Sequence, residues 1–155
     1  MKLHYEGFVK KNEEGDICLA QKCDTDFFYD CFCHDCFCLA TQISDDLEQY
    51  RIKYYNDEYD EVKGVVIPNV SIELYFSEEE TTLEKAKENQ ILSSLGILDI
   101  HESWYGYSEF TIEGFYIDKF VLAENESGEG HDFRKILGNY TDKYVHFVLE
   151  IMKGE

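Results

Sequence analysis

Val70-Ser-Ile-Glu-Leu-Tyr-Phe76 is the stretch from which the fold can be read. Val70, Ile72, Leu74 and Phe76 alternate with Ser71, Glu73 and Tyr75, and a period of two places the first set on one side of an extended chain and the second on the other. This predicts a half-buried strand. Lys143 to Met152 repeats the pattern through Val145, Phe147, Leu149 and Ile151 and is the best candidate for a central strand.

Working outward, Tyr50-Arg-Ile-Lys-Tyr-Tyr55 and Val62 to Ile67 have the aromatic and β-branched content of strands, and the acidic tip Asn56 to Glu61 joins them as a hairpin. Pro68-Asn69 then reads as a break in the chain. Leu3 to Lys10 and Ile17 to Gln21 form an earlier hairpin across the polar Lys11 to Asp16. From Ile97 to Leu122 the chain is rich in aromatic and β-branched residues, and the alternation at Phe110 and Ile112 changes phase at Phe115 and Ile117 across Gly114, as a bulge would make it do.

Two helices are expected among these strands. Thr81-Thr-Leu-Glu84 matches a capping box, so a main helix is expected from about Thr82 to Leu95, with Gly96 as its stop. A shorter one is expected near Asp132 to Leu137, and Ser44 is positioned to cap a single turn over Ser44 to Glu48. The fold class that follows is a single α+β domain over residues 1–155. Its sheet is expected to be curved and mainly antiparallel, or a partly open barrel, with about six to eight strands.

Composition narrows the function. With 33 acidic residues against 14 basic ones, the net charge of −19 opposes direct binding to nucleic acid or to an anionic membrane, since both need lysine and arginine to displace counterions. The expected partner is a basic protein, for example one that itself binds nucleic acid. Hydrophobic content of 44%, with 12 tyrosines and 11 phenylalanines, is enough for a folded core. Met1 to Glu6 carries charge at once, without the apolar core of a leader, so a reducing cytoplasmic location and unbridged thiols are expected.

Four of the six cysteines lie in Asp30-Cys-Phe-Cys-His-Asp-Cys-Phe-Cys38. If His34-Asp35 forms a tight turn, Cys31, Cys33, Cys36 and Cys38 share one face of a hairpin, the donor set of a tetrahedral zinc or iron–sulfur site. Read as a helix, the same run is amphipathic and its thiols are small hydrophobes. The spacing is also tighter than paired zinc knuckles, so ordinary cysteines without a cofactor are the expectation.

Phosphate-binding, nucleophile-elbow and zincin motifs are absent from the sequence. A small enzyme or ligand-binding domain would have to use His131 and Asp132, with Trp104, in a pocket at the mouth of the sheet. Gly130 to Asp132 reads equally as a helix-capping segment. Of the five histidines, His4 and His146 fall on strand patterns, and His34 has the neighbourhood that most suggests chemistry.

The expected function is therefore a non-enzymatic acidic interaction protein, either a nucleic-acid-mimicking inhibitor from a mobile element or an immunity protein against a basic toxin. Same-face carboxylates on a strand recur about every 6.6 Å, close to two phosphate steps of about 3.4 Å along DNA. The expected partner surface comprises Asp45, Asp46, Glu48, Tyr54, Asp57, Glu58, Tyr59, Asp60 and Glu61. Its tyrosines supply contact area and hydrogen bonds that charge alone does not.

Overall fold

The computed structural model describes residues 2–11, 17–20, 37–55, 61–105, 114–124 and 130–152. They form one curled, antiparallel, nine-stranded sheet of half-barrel shape. The strands are β1 (Lys2–Lys11), β2 (Ile17–Ala20), β3 (Phe37–Cys38), β4 (Arg51–Tyr55), β5 (Glu61–Ser77), β6 (Gln90–Tyr105), β7 (Gly114–Ala123), β8 (Gly130–Asp132) and β9 (Tyr144–Ile151). Their order across the sheet is β3-β2-β1-β9-β5-β6-β7-β8, with β4 also paired to β5. Three short helices interrupt them: α1 (Leu39–Asp46), α2 (Leu83–Ala86) and α3 (Phe133–Gly138).

Both hairpins form as their sequences imply, with Val9 opposite Leu19 and Lys53 opposite Lys63. β9 is central, between β1 and β5. The alternation of Val70, Ile72 and Leu74 aims these side chains into a core shared with Phe147, Leu149, Phe120 and Leu122. Leu39, Ala40, Ile43 and Leu47 recur at helical spacing, and this stripe packs α1 on the same core, where Phe133 and Leu137 of α3 join it. Phe133 lies 5.1 Å from Phe120 and 5.2 Å from Phe147 between ring centroids.

The break expected at Pro68-Asn69 is instead a bulge inside one seventeen-residue strand. β4 pairs with β5 only as far as Val65, and β9 begins at Val70, so the two lie end to end along one edge of β5. Pro68, which has no amide hydrogen, falls in the gap between them, and Asn69 takes the left-handed conformation at φ 57. The Asn69 carbonyl accepts the Met152 amide at 2.8 Å, which stitches the end of β9 to the bulge.

The main helix expected from Thr82 to Leu95 is not present. Thr82 does cap a helix, accepting the Lys85 amide, but α2 ends at Ala86, and β6 starts at Gln90. In this run only Ala86 is buried on the helix, so continuing it would give little burial in return. As a strand, Gln90 to Leu95 pair instead with Ser71 to Tyr75 along the second edge of β5, and Ile91 and Leu92 pack against the core. Gly96 is therefore not a helix stop. It lies in β6 where a β-carbon would stand 2.3 Å from the Ala123 carbonyl oxygen, so the residue permits a close strand approach.

One smaller expectation also shifts. Ser44 is buried inside α1 rather than capping a turn, because the apolar stripe from Leu39 starts the helix five residues earlier. Along β7 the register shifts where His101 and Glu102 of β6 pair with Lys119 and Ile117, and the bulge expected across Gly114 rests on the phase of Phe110 and Ile112 before it. Phe110 and Ile112 lie outside the described residues. The expected short helix appears as α3, with Asp132 as its cap. No helix among the described residues is long and apolar enough to cross a membrane.

Candidate functional site

The expected acidic surface is partly in view. Asp45 and Asp46 close α1 and are exposed, and Glu48 follows them, also exposed, in a 3-10 turn over Glu48–Tyr50. Tyr50 is 38% exposed beside them. Asp46 is held in place, since its carboxylate accepts the Tyr5 hydroxyl at 2.6 Å and the Gln42 amide at 3.1 Å. Burial, reinforced by that carboxylate, pushes the Tyr5 phenol well above its ordinary value. The turn leads directly into β4, where Tyr54 stands opposite Val62, and Glu61 of β5 stands opposite Tyr55. Asp57, Glu58, Tyr59 and Asp60 lie outside the described residues.

Electrostatics at this end of α1 are unusual. A helix C-terminus carries partial negative charge, normally complemented by lysine or arginine. Here the last turn contains no base and ends in two aspartates. Elsewhere Lys10, Lys119 and Lys87 each lie against a carboxylate, Asp142, Asp99 and Glu84, and Lys143 pairs with Glu78.

Cys31, Cys33 and Cys36, like His34, lie outside the described residues. Cys38 ends β3 directly before α1, opposite Cys18 in the strand register, and the two are not disulfide-bonded. His131 and Asp132 end β8 directly before α3. Asp132 accepts the Arg134 amide at 3.0 Å as the cap of α3, and His131 Nε2 lies 2.9 Å from the Glu124 carboxylate. Trp104 stands on β6 opposite Phe115. Glu78, Glu79 and Glu80 line an open cleft of about 440 Å³ with Ser77, Thr81 and Lys85.

A second constellation escaped the reading of the sequence. β1 and β9 pair with Glu6 opposite His146, and His4 is two residues from Glu6 on the same face. This face is the one turned away from the main core, and the segment around Thr81 covers part of it. His4 Nε2, His146 Nδ1 and Glu6 Oε2 converge, with separations of 2.9 Å between the histidines, 3.0 Å from His146 to Glu6 and 3.5 Å from His4 to Glu6. The other nitrogen of His146, Nε2, lies 2.9 Å from the Thr81 carbonyl oxygen. That oxygen only accepts, so Nε2 carries the hydrogen and Nδ1 faces the cluster.

His146 is fully buried, whereas the side chains of His4 and Glu6 are 37% and 38% exposed. Tyr144 stands edge-on to His146 at 5.3 Å, and Phe8 stands edge-on to Tyr144. Burial lowers the His4 imidazole below its ordinary value; Glu6 opposes this, and His146 and Lys2 add to it. Burial, with the Glu6 and Glu80 carboxylates, raises the Tyr144 phenol. The signal available in sequence was the pair His4-x-Glu6 on one strand pattern and His146 on another. Their meeting depends on the β1–β9 pairing, which joins residues 142 positions apart.

No family model, curated protein or solved structure matches the chain.

Proposed function

We propose that the protein is a non-enzymatic acidic interaction protein that occupies the phosphate-accepting groove of a basic, nucleic-acid-binding partner. The observation that carries this reading is the end of α1. Asp45, Asp46 and Glu48 stand exposed at the negative pole of the helix, with no base in its last turn, and the exposed Tyr50 ends the 3-10 turn that follows. A cationic surface laid against these carboxylates gains from their charge and from that of the helix end together. The aromatic ring gives such a contact a non-polar centre that salt does not screen. The inhibitor and immunity roles would both use this chemistry.

Capture from a host lysate at low and high salt tests the reading. A basic protein should be retained at low salt by the wild type. It should be lost when Asp45 and Asp46 are replaced by Asn and Glu48 by Gln, and equally when Asp57 and Asp60 become Asn and Glu58 and Glu61 become Gln. Replacing Glu84 and Glu88 by Gln changes charge on a different part of the surface and should leave capture intact. Capture that survives the first two sets would refute the choice of surface, and loss with all three sets would reduce it to net charge.

A further inference from the structure

We propose that His4, Glu6 and His146 bind one divalent transition-metal ion, with zinc the ion their donor set suits, and leave a coordination position open to solvent. Two imidazole nitrogens and a carboxylate oxygen are a common donor set for zinc with an open position. Bonds of about 2.0–2.1 Å in tetrahedral geometry place neighbouring donors about 3.3 Å apart. The three donor atoms here are 2.9, 3.0 and 3.5 Å apart, so they already form a triangle the size of one tetrahedral face. No large side-chain movement is needed to admit the ion.

The surroundings are those of a ligand set. A metal-bound histidine characteristically donates its other ring nitrogen to a carbonyl or carboxylate, which fixes its tautomer and orientation. Thr81 supplies that carbonyl to His146. Tyr144 and Phe8 wall the buried side, while the partly exposed His4 and Glu6 leave the other side accessible. With His146 neutral, the triangle is also short of hydrogen for its contacts. His146 Nδ1, with Nε2 already carrying its hydrogen, and the Glu6 carboxylate are two acceptors facing each other at 3.0 Å. His4 has one hydrogen to offer between them, and a metal ion satisfies all three donors at once. Because the ligands come from β1 and β9, the ion would join two neighbouring strands of the sheet.

Untagged, chelator-stripped protein titrated with cobalt(II), followed by zinc competition, tests the assignment. About one equivalent should bind with visible d–d bands and without the near-ultraviolet charge-transfer band of a cobalt thiolate. Zinc should raise the melting temperature. His4→Ala and Glu6→Gln change partly exposed side chains, and with circular dichroism confirming their fold each should weaken cobalt binding at least about tenfold. A variant with Cys31, Cys33, Cys36 and Cys38 replaced by Ser should bind cobalt as the wild type does. Binding unchanged in His4→Ala and Glu6→Gln, a thiolate band that disappears with the cysteines, or no cobalt bound at about millimolar concentration would each overturn the proposal.

Discussion

Removing one oxygen atom, as Tyr5→Phe, isolates the contact that fixes the acidic end of α1. Tyr5 is 7% exposed and packs edge-on to Phe147, and both features survive in phenylalanine. The 2.6 Å hydrogen bond to Asp46 is lost. Hydrogen bonds to a charged acceptor are worth about 1.5–3 kcal/mol. Asp46 is itself exposed and regains water, so the expected loss lies around and just below the lower limit of that range, about 1–2 kcal/mol. At about 2–4 °C per kcal/mol for a chain of this size, the melting temperature should fall by about 2–8 °C.

Urea unfolding at neutral pH should show a lower midpoint with an unchanged slope. A second measurement uses the raised Tyr5 phenol. Above pH 10 an unfolded tyrosine releases its proton while Tyr5 in the folded chain keeps it, so the folded state binds more protons and stability falls as pH rises. For this one group the loss approaches about 1.4 kcal/mol per pH unit. The advantage of the wild type over Tyr5→Phe should therefore narrow between pH 10 and 11. A difference below about 0.3 kcal/mol at neutral pH, against the expected range, or a gap that widens above pH 10, refutes the reasoning.

Asp132→Ala should cost about 0.5–2 kcal/mol by leaving the first turn of α3 uncapped, and Asp132→Asn should recover most of it; chemical denaturation of the three proteins checks this. Gly96→Ala should destabilise by on the order of 1–3 kcal/mol, because the added carbon meets the Ala123 backbone rather than a movable side chain. Amide exchange should then accelerate in β6 and β7, and unchanged protection there would count against the close approach.

Strand periodicity was the strongest part of the sequence, and it placed β5 and β9 well because each carries its own alternation of apolar residues. Caps were legible too, as at Asp132. The segment after Thr82 was not, since Ile91 and Leu95 suit a helical stripe about as well as a strand. What decides it is the open edge of β5, a partner that lies outside the segment itself. The same limit hid the histidine cluster. His4, Glu6 and His146 are each unremarkable on their own strands, and only the β1–β9 register makes them neighbours. The acidic turn at Asp45 to Glu48 was visible because its signal is local composition, while the placement of Asp46 against Tyr5 was not.

The position of β9 also sets when this sheet can close. It follows the other eight described strands in sequence and lies in the middle of the sheet, between β1 and β5. A nascent chain that has made the first hairpin and the long β5–β6 ladder still lacks the strand that connects them, and until it emerges two apolar strand edges wait unpaired. Joining segments more than a hundred residues apart carries a large closure entropy before any contact repays it, which slows the final step. During synthesis those open edges are sites for misassociation with other chains.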